Sequence, residues 1–390
     1  MKRSRFPGRP KLTRDAERLA RIAVAAAESG SRVEDDFWDT RLSQLVDGLL
    51  QAGNDAALES ALDRLWGPQP RAYDRLIEVV ETRSESGVIR HKGADWDVLM
   101  LAAPVLVWSR YSIQAGTLPQ PVLDNLRVHL QAHLLASGAR MGLADFLFSP
   151  DQLPRGYGKT LEFAERLWAA AAEARDLHLD PREMPESQRF LSDTRYLLGA
   201  IAAPRGAAMF RWQEEDATRE QAAAQWRAQG VPALQPALPG CAFELVVPDA
   251  YYSAWRNADR LARPFSLRSA VAFLRAALNV EASALRAVVA PFHDRQLEEY
   301  RIGFTLRDKP QVVYGVVWAL IGAEDESTEA LPELAAVLRE CGITETLELE
   351  HRFPLEHCDD CGAPLFPSPE GEAVHAEMPE DTEHAPSHLH

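Results

Sequence analysis

Apolar positions recur at helical spacing through the first 86 residues and give way to strand-like runs after them. Thr13 precedes Leu19, Ile22 and Ala26, which share one helical face, and Gly30 follows. That order predicts a helix with a side-chain N-cap and a glycine stop. VEDDFWDTRLSQLVDGLLQ, NDAALESALDRLW and RAYDRLIEVVE keep the same period between short Gly or Pro breaks. Residues 1–86 are therefore expected to be a basic arm followed by a small helical cap.

The character changes in GVIRHKGADWDVLMLAAPVLVW, which reads as a short strand, a turn at Lys92-Gly93 and an apolar run from Val98 to Trp108. A run that continuous suits a strand buried on both faces. Pro104 within it predicts an end or a bulge, because proline donates nothing to a ladder. A helix from Pro121 to Gly138, with Leu126, Leu130 and Leu134 inward, then the strand MGLADFLF and the helix TLEFAERLWAAAAEA complete a first α+β unit at residues 87–185.

Residues 186–280 follow a similar order. RYLLGAIAAPRGAAMFRWQ suggests two strands about the Pro204-Arg205-Gly206 turn, ATREQAAAQWRAQG a helix ending at Gly230, and FELVVPDA a strand before helices through Leu278. In residues 281–357, LRAVVAPF leads to YRIGFTL, where Tyr300, Ile302, Phe304 and Leu306 alternate like a strand with one buried face. VVYGVVWAL, a helix around Pro332 that stops at Gly342, and a last strand through Ile343, Leu347, Leu349 and Phe353 close that unit. The strand ends FLFSPDQ, ELVVPDA and HRFPLEH agree in pattern and little in identity, so a threefold repeat and a run of unrelated elements both stay open. The expected fold class is α+β: a helical N-terminal segment, then antiparallel sheet units with helices on one face, then a zinc-knuckle turn.

Charge narrows the partners. The net charge of −16 over 390 residues argues against broad electrostatic capture of nucleic acid or anionic membrane. The longest apolar runs, Val98–Trp108 and Val312–Ala323, are too short for a bilayer-spanning helix of roughly 20 residues. Four cysteines in this length are no disulfide framework, and the start of the chain leads into a charged helix where a signal peptide would be apolar. A cytoplasmic protein is expected.

The chemistry concentrates in His357-Cys358-Asp359-Asp360-Cys361-Gly362. Two thiolates at this spacing can hold one ion across a tight turn, and a glycine after the second supplies the positive φ such turns need. Zinc usually takes four ligands, and there is no second C-x-x-C. His375 is the best third ligand; the fourth is open. Glu377 would share a side with His375 in an extended segment. His357 is disfavoured because it points away from Cys358. His351 is in register with Leu349 and Phe353, and Cys341 lies on the apolar face of its helix, as a core residue would. A structural zinc on Cys358, Cys361 and His375 is the favoured reading over a catalytic zinc, a redox dithiol and a pair of reduced surface thiols. Asp359 and Asp360 oppose a low-pKa thiolate, and no H-E-x-x-H or comparable base is present.

Other features carry less. Gly158-Lys159-Thr160 ends like a phosphate loop, but Leu153 stands where the first glycine belongs. His129 and His133 have metal-compatible i, i+4 spacing beside an apolar helix face. Lys2, Arg3, Arg5, Arg9, Lys11 and Arg14 form a basic arm, read first as a disordered, solubilising terminus able to dock on the protein's own acidic surface, with RNA, DNA or an acidic partner as the alternative. Asp151, Arg155, Arg205 and Arg211, with Trp212 and Gln213, could line a polar cleft. Residues 358–379 are taken as the knuckle segment and residues 380–390 as a disordered acidic tail bearing His384, His388 and His390.

The runs TRDAERLA, ESGSRVEDDFW, RVHLQAH, LFSPDQLPRGY, FRWQE, RAVVAPF, HRFPLEHCDDCGAPLFP and VHAEMPE together resemble an uncharacterised bacterial family, a domain of unknown function, over nearly the whole chain. The resemblance implies a cytosolic bacterial protein and brings no activity, ligand or site residue with it. The reading favoured from the residues is a non-enzymatic binding or regulatory scaffold with a protein partner. An enzyme with a cleft between units and an RNA- or ribosome-associated factor using the basic arm are the alternatives.

Overall fold

Thr13 caps the first helix through its side chain, which accepts from the Ala16 amide, as its position before the apolar stripe predicts. In this computed structural model the described residues are 13–109, 113–187, 192–214, 217–322, 324–325 and 327–379. The basic arm before Thr13 and the tail after Pro379 lie outside them. Four helices, α1 (Arg14–Ala27), α2 (Arg32–Gln51), α3 (Asp55–Leu65) and α4 (Pro70–Glu85), bury Leu19, Leu42, Leu58, Leu62 and Leu76 against one another. The helical cap is thus a bundle with its own core.

α4 runs directly into a hairpin of β1 (Ser86–His91) and β2 (Ala94–Trp108). Lys92 and Gly93 both have positive φ, the geometry of a two-residue turn between twisted strands. The strand ladder then takes β3 (Gly116–Thr117), β4 (Arg140–Phe148), β5 (Ser192–Pro204), β6 (Ala242–Leu245) and β7 (Asp249–Ala250) into one seven-stranded sheet, with β5 between β2 and β4 and with β6 and β7 on β2. Strands from residues 87–185 and 186–280 therefore share a single sheet. The stretch expected to form two strands about Pro204 forms one, and a 3-10 turn at Arg211–Gln213 takes the place of the second.

Helices cover both faces of this sheet, where the sequence suggested one. α5 (Gln120–His133) and α7 (Arg219–Leu234) pack on Leu101, Val105 and Leu197. α6 (Tyr157–Ala172) and α8 (Tyr251–Leu278) pack on Val98, Met100 and Tyr196. Alternate residues of β2 face opposite cores, which is why its sequence reads as a continuous apolar run. α7 runs past Gly230, where a Cβ would overlap Leu245 and crowd Trp226, so this glycine serves close packing and is not a helix stop.

Pro104 sits in mid-strand, in register with Tyr196 of β5 on one side and beside the one-residue register change between β6 and β7 on the other. Its carbonyl accepts from the Val246 amide, and the Val246 carbonyl accepts from Trp226 Nε1 at 3.1 Å, so no donor is required of the proline.

α8 continues from the first sheet to a second. β8 (Leu285–Asp294), β9 (Gln296–Leu306) and β10 (Val312–Ala319) are antiparallel, and α8 with α9 (Ala330–Glu340) covers one face of them through Leu274, Leu334 and Leu338. The last expected strand is broken into β11 (Glu345–Glu348) and β12 (Phe353–Pro354), both parallel to β8. Leu347 is exposed, so the alternation in that stretch does not mark one buried face. No helix among the described residues is long and apolar enough to cross a membrane.

Candidate metal centre

The face of β9 and β10 turned away from α8 is buried as well. A short hairpin of β13 (Phe366–Pro367) and β14 (Ala373–Val374) lies on it. Contact is that close because the sheet has no side chains beneath: a Cβ on Gly315 would overlap the Phe366 ring, and one on Gly303 would overlap the Pro367 carbonyl. Phe366 and Ala376 close over Val312 in a small apolar cluster.

The residue that holds the segment before this hairpin is Arg301, fully buried on β9. Its Nη1 donates to the carbonyls of Glu356 at 2.6 Å and Leu365 at 2.8 Å, and its Nε donates to the Glu299 carboxylate at 2.8 Å. The guanidinium also rests over the Phe292 ring at 4.3 Å. Glu356 and Leu365 stand on either side of the cysteine turn, so one side chain fixes both its ends. The sequence marks Arg301 only as a charge inside the otherwise apolar alternation of YRIGFTL, a signal that spacing arguments pass over.

Between those anchors the backbone closes on itself. The Cys358 amide donates to the Ala363 carbonyl at 2.7 Å and the Gly362 amide to the Cys358 carbonyl at 2.8 Å. Gly362 adopts φ 74°, as predicted for the residue after the second cysteine. The amides of Cys361 and then Asp360 point at the Cys358 sulfur and lower its pKa, since they favour the thiolate.

His375 follows β14, and its segment is registered against the sheet by the Glu377 amide, which donates to the Val312 carbonyl at 2.9 Å. Its Nε2 lies 3.3 Å from the Cys361 sulfur. The ligand atoms of Cys358, Cys361 and His375 all fall within 4.8 Å of one another. A tetrahedral zinc with bonds of about 2.3 Å to sulfur and about 2.0 Å to nitrogen sets its ligands roughly 3.5–4 Å apart, so the three atoms could hold one ion. Cys361 is exposed, while Cys358 and His375 are half-buried.

The remaining candidates separate. Glu377 lies on the side of His375 expected for it, but its carboxylate is 3.9 Å from Nδ1, the ring nitrogen turned away from the sulfur. At that distance the two make no hydrogen bond, and the carboxylate stays outside the group formed by the two sulfurs and Nε2. His351 is exposed with its ring against Phe353, not inward. His357 is exposed, and Cys341 packs against the core beneath α9.

Elsewhere the sequence motifs resolve into structure. The Gly158 amide, where a phosphate would bind, is met by the Asp55 carboxylate at 3.0 Å, and Lys159 pairs with Glu162. His129 and His133 stack at 5.8 Å, and burial together with the neighbouring His129 lowers the His133 pKa. The polar cleft does not form. Asp151 and Arg155 sit beyond the Phe148–Tyr196 end of the β4–β5 ladder, whereas Arg205 pairs with Asp97 past its Arg140–Ala202 end, with Arg211 on that side.

A family model for a protein of unknown function, DUF2863, matches residues 4–389. The chain belongs to the DUF2863 family. No curated protein and no solved structure matches it. DUF2863 membership thus brings the near-full-length extent of the family and no activity, so the chemistry of this member rests on its own side chains.

Proposed function

We propose that this DUF2863 protein is a cytosolic, non-enzymatic binding or regulatory scaffold whose C-terminal segment is closed by a structural zinc on Cys358, Cys361 and His375. The observation that carries the reading is the meeting of those three ligand atoms within 4.8 Å, from two segments that are each registered independently on the same sheet. Arg301 holds one segment and the Val312 carbonyl the other. An ion bridging them would lock the hairpin onto β9 and β10, and its binding energy would add to folding.

The scaffold half of the proposal draws on the two covered sheets and on the separation of Asp151 and Arg155 from Arg205 and Arg211. A structural role for the metal is supported by its position beside a hairpin seated on β9 and β10. The test is metal analysis of protein purified without chelator, with His384, His388 and His390 replaced by alanine to remove adventitious binding. About one zinc per chain is expected. Metal-free protein with an unchanged melting temperature on zinc addition would end the reading.

A further inference from the structure

Three ligand atoms leave zinc one short of the four it usually takes in proteins. Glu377 does not complete the set, since it faces the other nitrogen of His375. Among the described residues no other His, Cys, Asp or Glu joins the group. The cluster is also open to solvent on the side of Cys361, its exposed member.

Charge decides what can fill the remaining position. Two thiolates and a neutral imidazole cancel the charge of a divalent ion, so the centre has no net pull on an anion. Its surroundings repel one. From Phe353 to Pro379 the chain carries Glu356, Asp359, Asp360, Glu370, Glu372 and Glu377 and no Lys or Arg. Arg301, the buried cation that anchors this segment, is already engaged with Glu299. A neutral nitrogen base meets no such repulsion, and imidazole is a good zinc donor.

We infer that the fourth coordination position is exchangeable and takes a neutral imidazole in preference to an anion; this rests on the metal reading above. A histidine side chain is the form in which a protein meets that donor. It can come from this chain's own His384, His388 or His390, or from another molecule.

The test loads the full chain with cobalt(II), whose visible absorption bands respond to the ligand set. Wild type is compared with a chain carrying His384→Ala, His388→Ala and His390→Ala. Metal content is measured first, then imidazole, sodium azide and sodium acetate are titrated separately. In the triple variant, imidazole is expected to shift the bands saturably while azide and acetate leave them unchanged. A wild-type spectrum that already matches the imidazole-saturated variant supports the inference and assigns the donor to the tail. A wild-type response equal to the variant's supports it and removes the tail histidines as the donor. Bands that ignore imidazole in the variant, or that move as readily with azide, overturn it. Failure to take up cobalt would instead remove the metal centre itself, so the two failures are told apart before any ligand is added.

Discussion

Arg301 reaches from the middle of β9 to the carbonyl of Leu365, 2.8 Å away and 64 residues later in the chain. The same nitrogen holds the Glu356 carbonyl, so a single buried guanidinium sets the width of the loop that carries both cysteines. Its charge is balanced by Glu299, itself nearly buried. The candidate metal centre is therefore positioned by a sheet residue that is not one of its three candidate ligands.

Replacing Arg301 by methionine removes the guanidinium from beside the buried Glu299 carboxylate and frees both carbonyls. Loss of about 3–5 kcal/mol of stability is expected, the usual cost of breaking one side of a buried pair. The double variant Arg301→Met with Glu299→Gln should recover part of that loss while still binding zinc more weakly than wild type. Urea unfolding and chelator competition measure the two effects; equal zinc affinity in all three proteins would disconnect Arg301 from the centre.

Cys361→Ser and Cys358→Ser should each reduce zinc content and lower the melting temperature, and chelator should lower it only in wild type. Cys341→Ser serves as the control, because Cys341 packs against the core beneath α9 and takes no part in the group. Its metal content should match wild type by elemental analysis.

Glu85, the last residue of α4, is buried and accepts from the Tyr252 amide at the start of α8. Burial pushes its carboxyl from the ordinary 4.5 up to about 7. The folded state thus holds this proton more tightly than the unfolded chain, so its contribution is fully present below pH 4.5 and is lost as pH rises to about 7. At about 1.4 kcal/mol per pH unit, the loss is on the order of 3 kcal/mol. Glu85→Gln keeps the acceptor and removes the charge, so it should be more stable than wild type at pH 8 and nearly equal to it at pH 4.5. Denaturant titrations at the two pH values check this; an identical pH dependence in both proteins would refute it.

Gly315→Ala puts a methyl group where the Phe366 ring lies. The hairpin must lift or the sheet must shift, at a cost of about 1–3 kcal/mol, as for other overpacked sites. Pairing it with Phe366→Leu should return part of the stability. Thermal melts of the single and double variants decide the matter, and an unperturbed Gly315→Ala would mean that the hairpin is not seated on β10.

Local pattern was enough for the N-cap at Thr13, the Lys92-Gly93 turn, the two-faced burial of β2 and the positive φ at Gly362, because each depends on residues close in the chain. The same is true of Cys358 and Cys361, three positions apart on one turn, and of the choice of His375 as their nearest suitable partner. Period and spacing are properties of the sequence itself.

What the sequence could not decide is which faces meet. Tyr300, Ile302, Phe304 and Leu306 announced a strand with one buried face, yet Arg301, Gly303 and Thr305 between them are buried too, under a hairpin that comes some sixty residues later. Likewise β5 enters a sheet begun by β2, and Glu377 turns to the outer nitrogen of His375 where spacing alone offered it as a ligand. Sheet order, burial of the second face and the meeting of His375 with the two cysteines are fixed by contacts between distant segments. Those contacts exist only once the chain has folded, so no local periodicity can encode them legibly.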